Sequence, residues 1–79
     1  MRVEVRLFAT LAAFLPPDGL AGAAVLDLPE GSTVADVPTR LGIPPDMPWV
    51  ALLNGDDAPG ERPLAPGDQL ALFPPLAGG

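Results

Sequence analysis

The sequence predicts an α+β domain in which a mixed β-sheet is covered on one face by a single helix. Two observations lead to this fold class. Apolar residues alternate with other residues near both ends of the chain, as in half-buried strands, and a segment with helical spacing lies between them. The predicted order is strand, strand, helix, strand, loop, strand.

The first strand is predicted from the alternation that follows Met1. Its inward positions are Val3, Val5, Leu7 and Ala9. Its outward positions are Arg2, Glu4, Arg6 and Phe8. Phe8 is the apolar exception on an otherwise charged face.

Two elements are predicted after the first strand. The segment TLAAFL, residues 10–15, predicts a short helical turn that stops at Pro16 and Pro17. The segment AAVLDL, residues 23–28, predicts a second strand in a hairpin with the first.

The helix is predicted within GSTVADVPTRLGIPP, residues 31–45. Ser32 or Thr33 is expected to cap its start, because a side-chain oxygen there can accept a free backbone N–H. Asp36 follows Thr33 by three residues and resembles a short form of the capping box.

The end of this helix has its own signals. Gly42 can adopt the left-handed conformation that stops a helix, and Ile43 can pack back across the stop. Pro38 removes an amide donor and crowds the preceding turn, so we expect a helix that is short and bent or begins with a tight turn. The buried face is predicted to carry Val34, Val37 and Leu41.

Two further strands are predicted in the second half of the chain. The apolar run WVALL, residues 49–53, is closed by Asn54 and Gly55, a strong hairpin signal. The loop that follows leads to a turn at residues 65–68, and QLALF, residues 69–73, forms the last strand. A proline pair must end that strand.

Composition limits the possible functions. The chain has 79 residues, enough for one small domain, with four arginines, no lysine, ten acidic residues and a formal net charge of −6. Without a basic patch, nucleic acid is not expected as a partner, and a basic protein is favoured. The first residues lack the apolar run of a signal peptide, and no stretch is long enough to span a bilayer, so a cytoplasmic location without membrane contact is expected.

Side chains suited to catalysis are scarce. The chain has no cysteine, histidine or tyrosine, and Ser32 is its single serine, which is better used as a cap than as a nucleophile. Asp56 and Asp57 are adjacent acids beside a turn, which are more often solvated than bound to a cation. Neither a metal site nor a catalytic acid–base pair is therefore expected, and Trp49 is interpreted as a packing residue.

Five segments carry a resemblance to a known family: VRLFATL, LPEGSTVADVPTRLGIPP, LLNG, PLAPGDQLALFPP and LAGG. Together they resemble the MoaD and ThiS family of ubiquitin-like sulfur carriers, and the ending GDQLALFPPLAGG is more similar to MoaD, the small subunit of molybdopterin synthase. The resemblance implies the β-grasp fold, with a four- to five-stranded mixed sheet and one main helix. It divides the chain into a ubiquitin-like domain, residues 1–73, and an extended tail, residues 74–79.

The resemblance also implies a chemistry for the tail. A MoeB- or ThiF-like adenylyltransferase, of the ubiquitin-activating type, would use ATP to join the Gly79 carboxylate to AMP, and a sulfur source would then convert it to a thiocarboxylate. No cofactor would be bound by the chain itself. The sulfur would pass to a pterin precursor in a MoaE-like large subunit, within a heterotetramer. Thiazole, transfer RNA or another metabolite are alternative acceptors, and a protein modifier or a non-covalent binding module is an alternative of a different class.

The residues before Gly79 suit such a tail. Gly78 lacks a side chain and can enter a narrow channel. Pro74 and Pro75 cannot continue a sheet ladder, so they should direct the tail away as a stiff stalk. Fully extended, residues 74–79 span at most roughly 20 Å, which is enough to reach a buried active site while the domain stays outside. Residues 74–77, which are Pro74, Pro75, Leu76 and Ala77, are therefore expected to contact the partner.

Phe8 and Phe73 are expected to form part of a docking surface. Strand alternation places both rings on the face opposite the helix. In the β-grasp fold that the resemblance implies, the first and last strands are neighbours, so the rings would lie together beside the root of the tail. The alternatives left open are that loops cover both rings, and that Val50 or Leu52 extends the surface.

Overall fold

The computed structural model of this chain describes residues 1–16, 19 and 22–75. Pro17, predicted to end the first helical turn, lies outside them. Within the described part, the strands are β1 (Arg2–Leu7), β2 (Ala23–Asp27), β3 (Val50–Leu53), β4 (Asp56–Asp57) and β5 (Gln69–Phe73). A 3₁₀ helix spans Ala9–Phe14, and the α-helix α1 spans Asp36–Leu41. Neither of these two helices is long enough to cross a membrane.

The strands form a five-stranded sheet in the order β2-β1-β5-β3-β4. β1 and β5 are parallel and central, whereas the other neighbouring pairs are antiparallel. The mixed sheet and the single α-helix confirm the predicted α+β class, and β1 and β2 form the predicted hairpin. The first and last strands therefore lie side by side, which brings Phe8 and Phe73 to the same end of the sheet.

The core lies on one side of this sheet. The alternation in β1 and β5 is confirmed, because the inward residues of both strands are buried. Residues from the 3₁₀ helix, α1 and the loops close over them. The largest side chains with almost no exposed surface are Leu11, Leu70, Leu72, Val3, Val5, Val34 and Val37. Burial of these side chains is the main source of stability in a domain of this size.

α1 begins at Asp36, later than a cap at Ser32 or Thr33 predicts. Ser32 and Thr33 lie instead in strand-like pairing with a distant loop: the Leu64 N–H donates to the Ser32 carbonyl at 2.9 Å, and Thr33 forms a β-bridge with Pro63. The Ser32 hydroxyl donates to the Pro29 carbonyl at 2.7 Å and caps nothing. This tertiary pairing excludes these residues from the helix.

Part of the predicted capping box is present. The Thr33 N–H donates to the Asp36 carboxylate at 2.7 Å, and the Thr33 hydroxyl donates to the same carboxylate at 3.2 Å. Pro38 falls in the first turn of α1, where its missing N–H removes no helical hydrogen bond, and tight turns precede it. At the other end, Gly42 has a φ of 84°, and the Ile43 N–H donates to the Pro38 carbonyl at 2.9 Å, as predicted for the helix stop.

The predicted hairpin at Asn54 and Gly55 is present. Their φ angles of 52° and 89° are those of a tight two-residue turn between β3 and β4. The interpretation of Asp56 and Asp57 as a solvated turn was wrong in one respect: they are exposed, but they form the edge strand β4 opposite Leu53 and Leu52. The turn geometry forces this pairing.

A second turn is hydrogen-bonded to the first. Gly67 has a φ of 85° in the predicted turn at residues 65–68, and the Asp68 N–H donates to the Ala65 carbonyl at 3.1 Å. The Asn54 side chain donates to the Asp68 carboxylate at 3.0 Å and accepts the Gln69 N–H at 2.9 Å. The Asp68 carboxylate also accepts the Ala65 N–H at 2.8 Å. This network fixes β3 against the start of β5.

Candidate functional site

The rings of Phe8 and Phe73 stack against each other. Their centroids are 4.5 Å apart and their planes are inclined by only 8°. β1 ends at Leu7, but the Phe8 N–H still donates to the Leu72 carbonyl at 3.2 Å, which places the Phe8 ring beside that of Phe73. Phe8 is 41% exposed and Phe73 is half-buried, so loops within the described part do not cover the pair.

Ala9 corrects one detail of the first strand. Predicted to point inward as the last strand residue, it is exposed, has a φ of 54° and begins the 3₁₀ helix. The chain turns here because the inward position is taken by Leu11, which is fully buried. Phe8 is therefore the last residue before the chain leaves the sheet.

Val50 extends the aromatic pair on the same face. It lies directly opposite Phe73 in the β3–β5 register and is 41% exposed, whereas its neighbour Ala51 is buried. We define the aromatic patch as Phe8, Val50 and Phe73. Leu52 lies on this face one pair further along β3 and is half-buried. The sequence did not decide whether Val50 and Leu52 face outward. Every residue of WVALL is apolar, so no alternation marks the outer face.

Along β1 and β5, the rest of this sheet face is polar or shallow, whereas Val25 on the edge strand β2 is an exposed apolar residue of the same face. Glu4 and Arg6 form an exposed ion pair, with the guanidinium 3.3 Å from the carboxylate. Such a pair contributes little to stability. Ala71 lies between Arg6 and Leu52 in the strand register and presents only a methyl group. The aromatic patch is thus an apolar area at one end of a largely polar surface, a feature typical of docking sites.

Trp49 lies beside the patch but on the helix side of the sheet. It packs against the core, as predicted, and its ring also borders two surface grooves. One of them, of about 480 Å³, is lined by residues 49–51 and 57–60. We call it the Trp49 groove. No sequence pattern predicts it, because it depends on how the loop after β4 folds back beside Trp49.

The predicted tail begins next to the patch. β5 ends at Phe73, Pro74 is half-buried, and Pro75 is exposed. Leu76, Ala77, Gly78 and Gly79 lie outside the described residues. The roles predicted for all six residues stay predictions. What the described residues do show is that the strand leading to the tail ends beside Phe8 and Val50.

Among residues 1–16, 19 and 22–75, no three carboxylates lie close enough together to hold a metal ion. Within the same ranges, no buried side-chain nitrogen or oxygen lacks a hydrogen-bond partner.

Comparison with known proteins agrees with this picture. A sequence model of the ThiS family matches residues 5–79. The structure is similar to that of SAMP1 from Haloferax volcanii, with 30% sequence identity, complete coverage of both chains and a TM-score of 0.71. Comparison with curated protein sequences gives no match.

Two more distant structures support the fold alone. A putative molybdopterin converting factor, subunit 1, from Pyrococcus furiosus is 23% identical over 95% of this chain and 98% of that chain, with a TM-score of 0.68. The complex of subunits 1 and 2 of the molybdopterin-converting factor from Helicobacter pylori contains a chain that is 21% identical, with complete coverage of both chains and a TM-score of 0.61. These similarities confirm the ubiquitin-like β-grasp fold.

Proposed function

We propose that this chain, which belongs to the ThiS family of ubiquitin-like sulfur carriers, carries sulfur on the carboxylate of Gly79 for the synthesis of molybdopterin. The observation that carries the proposal is the family match, which runs through the Gly78–Gly79 pair. The fold is consistent with it, since β5 delivers the chain to Pro74 and Pro75 at the edge of an exposed apolar patch.

The chemistry needs three steps. A carboxylate is a poor electrophile, so an adenylyltransferase first joins the Gly79 carboxylate to AMP from ATP and releases pyrophosphate. The terminal sulfur of a persulfide then attacks the acyl carbon and AMP leaves. A thiol cleaves the remaining sulfur–sulfur bond, which yields the thiocarboxylate and a disulfide. Because ATP is consumed, we place the carrier in the cytoplasm.

In this scheme the domain binds and the tail reacts. The aromatic patch holds the domain against its partner, while Pro74 and Pro75 start the tail in an extended direction. The net charge of −6 favours a partner with a basic surface, since opposite charge speeds encounter and selects orientation. The same patch would serve the adenylyltransferase and the acceptor enzyme in turn.

The similarity to two solved structures favours molybdopterin synthesis as the pathway that receives the sulfur. The Pyrococcus furiosus and Helicobacter pylori structures are of molybdopterin-converting factor subunits, and the second was solved with subunit 2. Together with the MoaD-like ending GDQLALFPPLAGG, they support a large synthase subunit as the partner that receives the tail, in a heterotetramer.

Intact mass tests the proposal. The chain is incubated with its adenylyltransferase, ATP and a persulfide donor. We expect the intact mass to rise by the exchange of one oxygen for one sulfur, and we expect fragmentation to locate this change at the C-terminal residue. The thiocarboxylated chain is then mixed with the synthase large subunit and the sulfur-free pterin precursor. Sulfur transfer to the pterin would support the molybdopterin role. A thiocarboxylate that never transfers sulfur to the pterin would point to another acceptor.

A protein modifier is the second candidate, and one comparison favours it. SAMP1 is 30% identical over the whole chain, and a second structure of that protein is described as a small archaeal modifier protein. A modifier would form an amide between Gly79 and a lysine of another protein, with loss of AMP. Peptides carrying a Gly–Gly remnant on lysine, recovered from cells expressing the tagged chain, would support this candidate. If no such peptides are recovered and the pterin does receive sulfur, only the carrier role is supported.

A further inference from the structure

Ala9 has a backbone conformation that alanine rarely adopts. Its φ of 54° lies in the left-handed region, where a Cβ crowds the following carbonyl oxygen. Among the described residues other than glycine, only Asn54 also has a positive φ, and asparagine tolerates this region and forms side-chain hydrogen bonds there. Alanine has no such compensation. The strain at Ala9 must therefore be held by contacts of its neighbours.

Hydrogen bonds on both sides of Ala9 hold this conformation. Before it, the Phe8 N–H donates to the Leu72 carbonyl at 3.2 Å, so Phe8 continues the line of β1. After it, the Leu11 N–H donates to the Phe8 carbonyl at 3.1 Å and closes a turn in which Ala9 is the first inner residue. Leu11 is fully buried in the core. The chain thus passes from the sheet to a buried anchor within three residues, and Ala9 makes the change of direction.

The turn also fixes the backbone that carries the Phe8 ring. Phe8 is extended, with φ of −119° and ψ of 152°, and both its N–H and its carbonyl are hydrogen-bonded. Its ring lies 4.5 Å from the ring of Phe73 and almost parallel to it. Ala9 itself is exposed, so its side chain is not part of the core. The property of Ala9 that matters here is its backbone conformation.

We propose that Ala9 is a positioning residue for docking: its left-handed conformation ends β1 directly after Phe8 and holds the Phe8 ring against Phe73 in the geometry that a partner binds. Strained backbone occurs at binding sites where it fixes a contact before the partner arrives, which lowers the cost of ordering on binding. The identity of the partner rests on the proposed function, in which the aromatic patch binds the adenylyltransferase and the large subunit. The position of the ring in the free chain does not depend on that identity.

Ala9→Asn and Ala9→Thr form a matched pair of variants. Both new side chains are polar and similar in size, and both would lie at the exposed surface. Asparagine tolerates a positive φ, whereas the β-branched threonine resists it. Ala9→Gly is a third variant, because glycine adopts a positive φ without strain and adds no side chain. Asparagine and glycine should therefore keep the turn, and threonine should distort it.

The first experiment uses the free chain. Nuclear Overhauser effects between the ring protons of Phe8 and Phe73 report the stack, and Phe14, the third phenylalanine, packs against the core instead. We expect these effects in wild type, Ala9→Asn and Ala9→Gly, and we expect Ala9→Thr to lose most of their intensity. Full intensity in Ala9→Thr, or loss of the effects in Ala9→Gly, would overturn the proposal. The glycine variant keeps the test decisive even if Ala9→Thr does not fold.

The second experiment measures affinity for the adenylyltransferase and for the large subunit by calorimetry, corrected for the folded fraction. Ala9→Thr should weaken binding about fivefold and Ala9→Asn less than about twofold, because only threonine displaces the Phe8 ring. In a chain that already carries Phe8→Ala, the further change Ala9→Thr should alter affinity by less than about twofold, since a positioning residue acts through the ring that it positions.

An undiminished fivefold loss in the Phe8→Ala chain would overturn the proposal, because Ala9 would then act without the ring. If neither protein binds the wild-type chain, the docking role of the aromatic patch in the proposed function fails. The Overhauser effects still decide in that case whether Ala9 positions Phe8.

Discussion

The ring of Phe8 lies parallel to the ring of Phe73, with centroids 4.5 Å apart, although the two residues come from opposite ends of the chain. The parallel pairing of β1 with β5 brings them together. Stacked rings of this kind contribute about 0.5 to 1.5 kcal/mol beyond the area they bury. The pair therefore links the ends of β1 and β5 through their side chains, and still leaves apolar surface exposed.

Replacement of Phe73 by alanine should weaken binding much more than folding. A buried aromatic at the centre of an interface commonly contributes around 2 kcal/mol, which is about a thirtyfold change in dissociation constant. Loss of the stack should lower the free energy of unfolding by about 1 kcal/mol, against about 3 to 5 kcal/mol for a core aromatic. Phe8→Ala should act in the same direction and more weakly.

Calorimetric titration with the large subunit and with the adenylyltransferase, together with urea denaturation, measures both effects. Val25→Ala is the matched control, because Val25 is 62% exposed on the edge strand β2 and lies outside the patch. Val25→Ala should change neither the affinity nor the free energy of unfolding appreciably. A loss of several kcal/mol in stability for Phe73→Ala, with affinity unchanged, would place the rings in the core and remove the docking role.

Changes at the tail should abolish activation without affecting the fold. Deleting Gly79, or adding one residue after it, displaces the carboxylate that the adenylyltransferase must reach. Thermal melts should be unchanged, because the core residues described above lie between Val3 and Leu72. Gly78→Ala should fold normally and slow adenylation, since a Cβ would crowd a narrow channel. Pyrophosphate release and intact mass report the reaction, and sulfur incorporation into both altered tails would contradict the carrier role.

Asn54 should stabilise the domain in two separable ways. Its φ of 52° is unfavourable for most residues, and its side chain bonds Asp68 and the Gln69 N–H. Asn54→Gly keeps the backbone conformation and loses the side-chain hydrogen bonds, so the free energy of unfolding should fall by about 1 to 2 kcal/mol. Asn54→Ala should lose about 1 kcal/mol more, because alanine resists a positive φ. Urea denaturation measures both, and equal stability of the two variants would show that the backbone conformation contributes nothing.

Gly60→Ala should strain the loop beside Trp49. The new methyl group would meet the Ala35 Cβ at 3.2 Å, closer than ordinary contact, so a neighbour must move. We expect a loss of about 1 kcal/mol in the free energy of unfolding, at the low end for overpacking. The fluorescence of Trp49, the single tryptophan, should shift as well. Unchanged stability with an unchanged Trp49 signal would mean that the loop has room the structure does not show.

The parts of the fold that the sequence predicted are those with a local cause. The alternation in β1 and β5, the turn at Asn54 and Gly55, and the left-handed stop at Gly42 each follow from residues adjacent in the chain. The neighbouring position of Phe8 and Phe73 followed once the resemblance supplied the strand order.

The parts that it missed depend on distant contacts. α1 starts late because Ser32 and Thr33 pair with the loop around Pro63, far along the chain. Asp56 and Asp57 form a strand despite their low strand propensity, since the tight turn holds them against β3. The Trp49 groove arises where the loop after β4 lies beside the start of β3, so no single segment encodes it.

The parallel pairing of β1 with β5 has a mechanical consequence. Both strands run in the same direction at the centre of the sheet, so tension applied between Arg2 and Phe73 acts along the strands. The hydrogen bonds between them are then loaded together in shear rather than opened one after another from an end. Tension between these two residues is therefore resisted by all of these hydrogen bonds at once.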